Sequence, residues 1–136
     1  MITAYIDGGS RGNPGPAGYG VRIVGDEGTT EAELHEFVGI TTNNVAEYRG
    51  LVAALTWAKD HGVSALHIRS DSELLVKQLR GEYRVRNAGL QPLYQQALAL
   101  ARAIGRVSFE HVRRELNKDA DRLANLAMDL KRDTIL

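Results

Sequence analysis

A chain of 136 residues, 43% hydrophobic and 25% charged, is long enough for one folded domain over residues 1–136 and too apolar to be disordered. It has no cysteine, which excludes disulfide scaffolds, thiolate zinc sites and a cysteine nucleophile, and fits a reducing compartment. Seventeen basic residues balance 17 acidic ones, and a net charge of zero argues mildly against a nucleic-acid ligand unless the charge is local. No apolar run approaches membrane-spanning length, and residues 1–6 carry no basic leader. The expectation is a cytoplasmic monomer that meets no membrane.

Residues 2–6 predict a short strand ending at Asp7-Gly8-Gly9, and residues 8–20, with Pro14 and Pro16, predict a glycine-rich turn. Two antiparallel strands follow over 19–24 and 31–39. Tyr48, Leu51, Val52, Leu55 and Ala58 then recur three or four apart, one apolar stripe of a helix that Asn43 or Asn44 caps and Gly62 ends. Residues 65–69 alternate as a half-buried strand. Ser72 caps a short helix to about residue 78, and a second helix spans 90–103 with Pro92 in its tolerated first turn. Residues 106–113 read as a strand that contains His111. The last helix starts near Asn117, with Ala120, Leu123, Ala124, Ala127 and Leu130 as its stripe. The order β-β-β-α-β-α-α-β-α is an α/β architecture, a mixed sheet with helices on its faces.

Most acidic side chains only solvate a surface. Four are placed otherwise. Asp7 and Asp71 follow strands, and ligands gather at the carboxyl ends of strands. Glu47 and Asp121 fall in first turns of helices, beside the apolar stripes. Four carboxylates aimed at one place repel unless cations neutralise them, and Mg²⁺ pairs naturally with carboxylate and phosphate. Two such ions can clamp both reacting oxygens of a phosphoryl displacement. The run Gly-Asn-Pro-Gly-Pro is not a phosphate-binding P-loop, because no Gly-Lys-Ser/Thr follows it. Of Asn43 and Asn44, one can cap the helix and leave the other, with Asn13, free for the minor-groove edges of bases. Lys77, Arg80, Arg84 and Arg86, with Glu82 the only anion among them, form a local basic stretch that is either a solvated surface or a phosphate contact.

The segment Asp7-Gly8-Gly9-Ser10-Arg11-Gly12-Asn13-Pro14-Gly15-Pro16-Ala17-Gly18-Tyr19-Gly20 resembles the opening signature of type 1 ribonuclease H. Thr41-Thr42-Asn43-Asn44-Val45-Ala46-Glu47, Ser70-Asp71-Ser72 and Ala120-Asp121-Arg122-Leu123-Ala124 resemble its other three signatures, in order and over nearly the whole chain. The resemblance implies a ribonuclease H-like fold: a five-stranded mixed sheet, its first three strands antiparallel, with helices on both faces. It implies an endonuclease that hydrolyses the RNA strand of RNA–DNA hybrids by a two-metal-ion mechanism and leaves 5′-phosphate and 3′-hydroxyl ends. Asp7, Glu47, Asp71 and Asp121 become the catalytic ligands of two Mg²⁺ ions, with Mn²⁺ a possible substitute and Asp7 shared by both. Gly8, Ser10 and the rest of that turn, with Glu47, would lie near the RNA 2′-hydroxyls, the group that distinguishes RNA from DNA. Asn13, Asn43 and Asn44 would contact the minor groove, and Thr42 and Asn87 a phosphate of the DNA strand.

This chain departs from the family's pattern in three ways. Residues 113–120 contain no histidine where many members carry one in a flexible loop, as in the short-loop branch of archaea and some bacteria. Its part is expected to pass to Arg113, Arg114 or Glu115, since His111 reads as a partly buried strand residue. Residues 79–89 are too short for the basic helical handle of some members, and Glu73 stands where some relatives have glutamine. No separate hybrid-binding domain is expected ahead of Met1. A non-catalytic binding module would lack a carboxylate, and none is lacking. A DNA nuclease or transposase of the same fold would lack the glycine-rich turn and the paired asparagines.

Overall fold

In the computed structural model, which describes residues 1–130, the chain runs β1 (Ile2–Ser10), β2 (Gly15–Val24), β3 (Thr30–Thr41), α1 (Asn43–Asp60), β4 (Ala65–Ser70), α2 (Glu73–Leu79), α3 (Gln91–Ile104), β5 (Arg106–His111) and α4 (Lys118–Asp129). A 3₁₀ turn, Arg114–Leu116, precedes α4. The strands form one mixed sheet in the order β3-β2-β1-β4-β5. The first three pair antiparallel, and β4 lies parallel to both β1 and β5. Among the described residues no helix is long and apolar enough to cross a membrane.

The glycine-rich segment is mostly strand rather than turn. Gly8, Gly9 and Ser10 extend β1 and pair with Tyr19, Gly18 and Ala17 of β2. Only residues 11–14 turn, with Gly12 at φ +92° and Arg11 N donating to Pro16 O at 2.9 Å. Glycines in strands normally signal a breaker; here they let helices lie close on the sheet. A Cβ on Gly8 would stand 2.3 Å from Glu47 N of α1, and one on Gly20 would stand 2.3 Å from Ala120 O of α4. Gly9, next along β1, would meet Met128 of α4, so α1 and α4 cover opposite faces.

On the α1 face, Ala4, Ile6, Val21 and Ile23 of the sheet pack with Tyr48, Leu51 and Leu55, and with Leu75, Ala97 and Ile104 from α2 and α3. Leu51 and Leu55 are fully buried, each worth about 1.5–3 kcal/mol of transfer free energy. The α4 face is smoother: Ala120, Leu123, Ala124 and Ala127 are buried against Gly18 and Gly20. Leu130, expected to end that stripe, lies beyond the helix and is 37% exposed.

Helix caps also depart from expectation. Thr42 caps α1, its hydroxyl accepting from Val45 N at 3.3 Å, so neither Asn43 nor Asn44 is the cap. Because α1 starts at Asn43, Glu47 is its fifth residue and falls in the second turn. Ser72 caps α2 as expected, accepting from Leu75 N.

Candidate active site

The parallel half of the sheet ends in a single row. Ile6 is the last β1 residue paired with β4, opposite Ser70, and Ser70 is opposite His111, the last residue of β5. Past that row β1 continues, paired only with β2, so Asp7 lies within a strand rather than at its end. Asp71 is the next residue after Ser70, before α2 begins. The reasoning from strand ends therefore holds for the β1–β4 pair, although β1 itself is longer than its hydrophobic pattern suggests.

Asp7 of β1, Glu47 of α1, Asp71 from the link between β4 and α2, and Asp121 of α4 line one open pocket of about 420 Å³. Its wall also includes Gly8, Gly9, Ser10, Arg11, Asn43, His111, Val112, Arg113, Arg114 and Asn125. Asp121 stands in the first turn of α4, whose close approach to Gly20 brings it to the sheet. Gly8 N donates to Asp7 Oδ1 at 3.0 Å.

The electrostatics are those of crowded, desolvated anions. Burial, first, and then Asp71, Asp121 and Glu47 push the Asp7 carboxyl up to about 8. Burial also pushes Glu47 up to about 7, although Ser72 donates to it and holds it down in part. Asp71, whose side chain is 14% exposed, is raised by burial against the opposing pull of Arg114, whose Nε lies 3.9 Å from Asp71 Oδ2. Such a set is an oxygen-donor site for hard divalent cations, which relieve the repulsion that raises these groups. Among the described residues no three acidic or imidazole side chains already close on one point as metal ligands. The carboxylates stand around a pocket, which suits Mg²⁺, since that ion keeps several of its waters.

The other expected residues divide. Gly8, Ser10 and Asn43 line the pocket. Ser10 Oγ donates to Thr41 O at 2.9 Å, and Asn13 Oδ1 accepts from Asn43 N at 3.2 Å, which joins the β1–β2 turn to the start of α1. Asn44 is exposed on the first turn of α1, and Thr42 is occupied as its cap. Asn87 is not in the pocket wall: it lies in the exposed segment before α3, its Oδ1 accepting from Gly89 N at 2.7 Å. His111 lies in β5 as expected, but the strand stops there rather than at residue 113, and His111 is exposed and lines the pocket, not partly buried. Its orientation follows from its place at the last row of β5, beyond which the sheet no longer covers it. Arg113 and Arg114 line the pocket, whereas Glu115 is exposed outside its wall.

Three contributors escape a reading of the sequence. Arg11 borders the pocket and pairs with Asp129 at 2.7 Å, a contact across 118 positions that no local pattern encodes. Ser72 serves Glu47 as well as its own helix. Asn117, expected only to begin α4, is 1% exposed, and its Nδ2 donates to Ile6 O at 2.8 Å.

Comparison with known proteins agrees with this architecture. A family described as reverse transcriptase-like matches residues 5–127. The bifunctional protein Rv2228c of Mycobacterium tuberculosis is 50% identical over 94% of this chain, which spans only 35% of that protein's length. Ribonuclease HI of Halobacterium salinarum is 42% identical over 94% of this chain and 64% of its own length. The solved ribonuclease H domain of Rv2228c superposes with a TM-score of 0.91 at 47% identity, covering 94% of this chain and 98% of that one. LC11-RNase H1, solved in complex with an RNA/DNA hybrid, superposes with a TM-score of 0.91 at 40% identity, covering 95% of this chain and 97% of that one. On sequence and fold together, this chain belongs to the type 1 ribonuclease H family.

Proposed function

We propose that the protein hydrolyses the RNA strand of RNA–DNA hybrids, with two divalent cations held by Asp7, Glu47, Asp71 and Asp121. One observation carries this reading: four carboxylates from distant parts of the chain share one pocket, and burial and mutual repulsion raise Asp7, Glu47 and Asp71 above their ordinary values. The hybrid-bound state of LC11-RNase H1 supports the choice of substrate.

Divalent cations bound there supply charge neutralisation at both reacting oxygens and a more acidic water. The chain's own residues do the rest. Asp7, which interacts with Asp71, Asp121 and Glu47 together, would be the ligand that both cations share. Ser72 favours the ionised form of Glu47, and Arg114 that of Asp71, each against the opposing effect of burial. Gly8, Ser10 and Asn43 line the pocket where an RNA 2′-hydroxyl and the minor groove would lie, and Asn13 adjoins them through its bond to Asn43 N. The water oxygen bonds to phosphorus as the bond from phosphorus to the 3′-oxygen breaks. The products then carry 5′-phosphate and 3′-hydroxyl ends.

The test is incubation with labelled RNA–DNA hybrid, duplex RNA and duplex DNA, each with Mg²⁺, Mn²⁺, Ca²⁺ or EDTA. Cleavage of hybrid alone, restored after EDTA by Mg²⁺ or Mn²⁺, is the expected result. Ca²⁺ binds with looser coordination and is expected not to support turnover. Cleavage that survives EDTA, or that is equal on duplex DNA, refutes the reading.

A further inference from the structure

Asn117 immediately precedes α4, where an asparagine normally caps the helix through its side chain. Here the side chain makes no cap hydrogen bond. It is instead fully buried, with Nδ2 donating to Ile6 O at 2.8 Å, and its Oδ1 has no hydrogen-bond partner among the described residues. Burying an amide with one end unpaired costs stability, and an apolar residue of similar shape would avoid that cost. Stability alone therefore does not account for asparagine at this position.

Two of its hydrogen bonds have a common feature. The Ile6 carbonyl belongs to the peptide plane that carries the Asp7 Cα, and that plane is rigid, so fixing the carbonyl fixes the base of the Asp7 side chain. At the other end, Asn117 O accepts from Asp121 N at 3.1 Å in the first turn of α4. One residue thus links the backbones of two carboxylates that lie far apart in sequence. Elsewhere α4 meets the sheet through Ala120, Leu123, Ala124, Ala127 and Met128, packed on Gly9, Gly18 and Gly20, and through exposed ion pairs of Asp119 with Arg22 and of Arg122 with Glu33. Apolar packing is not directional, and exposed ion pairs hold weakly. The Asn117 bond to Ile6 is directional and buried, and it lies at the end of α4 that carries Asp121.

We infer that Asn117 is a positioning residue that sets the separation of Asp7 and Asp121, and so the spacing of the cation site between them. The inference rests on the proposed function. Misplacing a reacting group by about 1 Å costs on the order of a hundredfold in rate, so a small slide of α4 is enough to matter.

The experiment compares Asn117→Leu, Asn117→Ser and a core control, Ile104→Ala, in the otherwise intact protein. Leucine keeps the volume without the donor. Serine keeps a donor too short to reach Ile6 O. Ile104 is buried at the end of α3, on the far face of the sheet from α4. For each variant, melting temperature, kcat and KM on a hybrid, and Mg²⁺ affinity by calorimetry without substrate are measured. Both Asn117 variants are expected to lose about thirtyfold in kcat with KM within about twofold, and to bind Mg²⁺ about tenfold more weakly. Ile104→Ala is expected to lower the melting temperature and leave both readouts at the parent's values. A folded Asn117 variant with parental kcat and Mg²⁺ affinity overturns the inference. So does a loss that only tracks the unfolded fraction, as Ile104→Ala would show it. If Asn117→Leu does not fold, Asn117→Ser decides on the same readouts. A parent protein that neither binds Mg²⁺ nor cuts hybrid refutes the proposed function instead, a separate result.

Discussion

Two charged regions of this molecule are held in opposite ways. In the pocket, Asp7, Glu47 and Asp71 are desolvated and crowded, and burial displaces the protonation of each. In the basic stretch, Lys77 pairs with Glu73 at 2.8 Å and lies over the Tyr83 ring, and Arg80 donates to Phe109 O at 2.7 Å. Those two cations are engaged by the chain itself. Arg84 and Arg86 are exposed and, among the described residues, have no ion-pair partner. Charges that the fold holds together against their repulsion mark a site that needs a counter-ion. Charges satisfied by their neighbours mark a surface, where an exposed pair contributes about 0–1 kcal/mol.

The strongest break in this comparison is removal of the charge at its centre. Asp7→Asn keeps shape and removes the carboxylate flanked by the other three. Hybrid cleavage is expected to fall at least about a hundredfold, measured under single turnover. The metal-free melting temperature is expected not to fall, because repulsion is relieved. A variant retaining more than a few percent of parental rate would show that Asp7 is not the shared ligand.

Smaller effects are expected at the pocket's cationic rim. Arg114 faces Asp71 across 3.9 Å and its side chain is 86% exposed, so it is free to move to a scissile phosphate or a departing product. Arg114→Ala is expected to lower turnover by about tenfold or more with little change in hybrid affinity. His111 now also lines the pocket, yet from the end of a strand, where it cannot sweep as a loop residue can. His111→Ala is expected to cost less than Arg114→Ala. Steady-state and single-turnover rates on one hybrid rank the two, and the reverse order would return the histidine's part to His111.

The ranking depends on features that the sequence displays unequally. The convergence of the four carboxylates was legible chiefly because the motifs that carry them recur in order; Asp71 and Asp121 do sit beside a change of element, whereas Asp7 lies inside β1 and Glu47 in the second turn of α1. The five-stranded mixed sheet and its antiparallel first three strands followed from the resemblance that those motifs carry, whereas the order of the strands in space did not. The extent of β1 and β2 was not legible, since Gly8, Gly9, Gly18 and Gly20 read locally as breakers. Only the helices that pack on them explain those glycines. The Thr42 cap was hidden by two equally good candidates beside it, Asn43 and Asn44. Asn117 and Arg11 act across most of the chain's length, and no local periodicity reports such a contact.

The basic stretch gives the next test. If Arg84 and Arg86 neutralise phosphates, replacing both by alanine flattens the dependence of log affinity on log salt by up to about two units. Replacing Lys77 and Arg80 is expected to change that slope less and the melting temperature more, because their partners are within the protein. Binding of a hybrid in Ca²⁺, titrated at several salt concentrations, measures both. Equal slopes in all three proteins would make the whole stretch a solvated surface.

The smallest effect expected is on stability, and its sign separates the two regions. The fold raises Asp7 from 3.8 to about 8 and Glu47 from 4.5 to about 7, so the folded protein binds more protons than the unfolded chain in between. Stability from these groups is complete at low pH and is lost as pH rises through those values. Glu110, bonded to His67 and Arg69 on the exposed sheet face, is shifted the other way, and what it contributes is lost only as pH falls below the ordinary carboxylate range. Between pH 5.5 and 8.5 Glu110 stays ionised, and the pocket carboxylates dominate the acidic groups that titrate. Comparison with Asp7→Asn in the same buffers cancels the contributions common to the two proteins. The metal-free parent is therefore expected to melt higher at pH 5.5 than at pH 8.5 relative to Asp7→Asn, with the two converging at the acidic end. Mg²⁺ binds the ionised carboxylates, so saturating Mg²⁺ at pH 8.5 is expected to raise the parent's melting temperature more than the variant's. A difference between the two proteins that stays constant across pH and is blind to Mg²⁺ would mean that the pocket's charges are not under mutual strain.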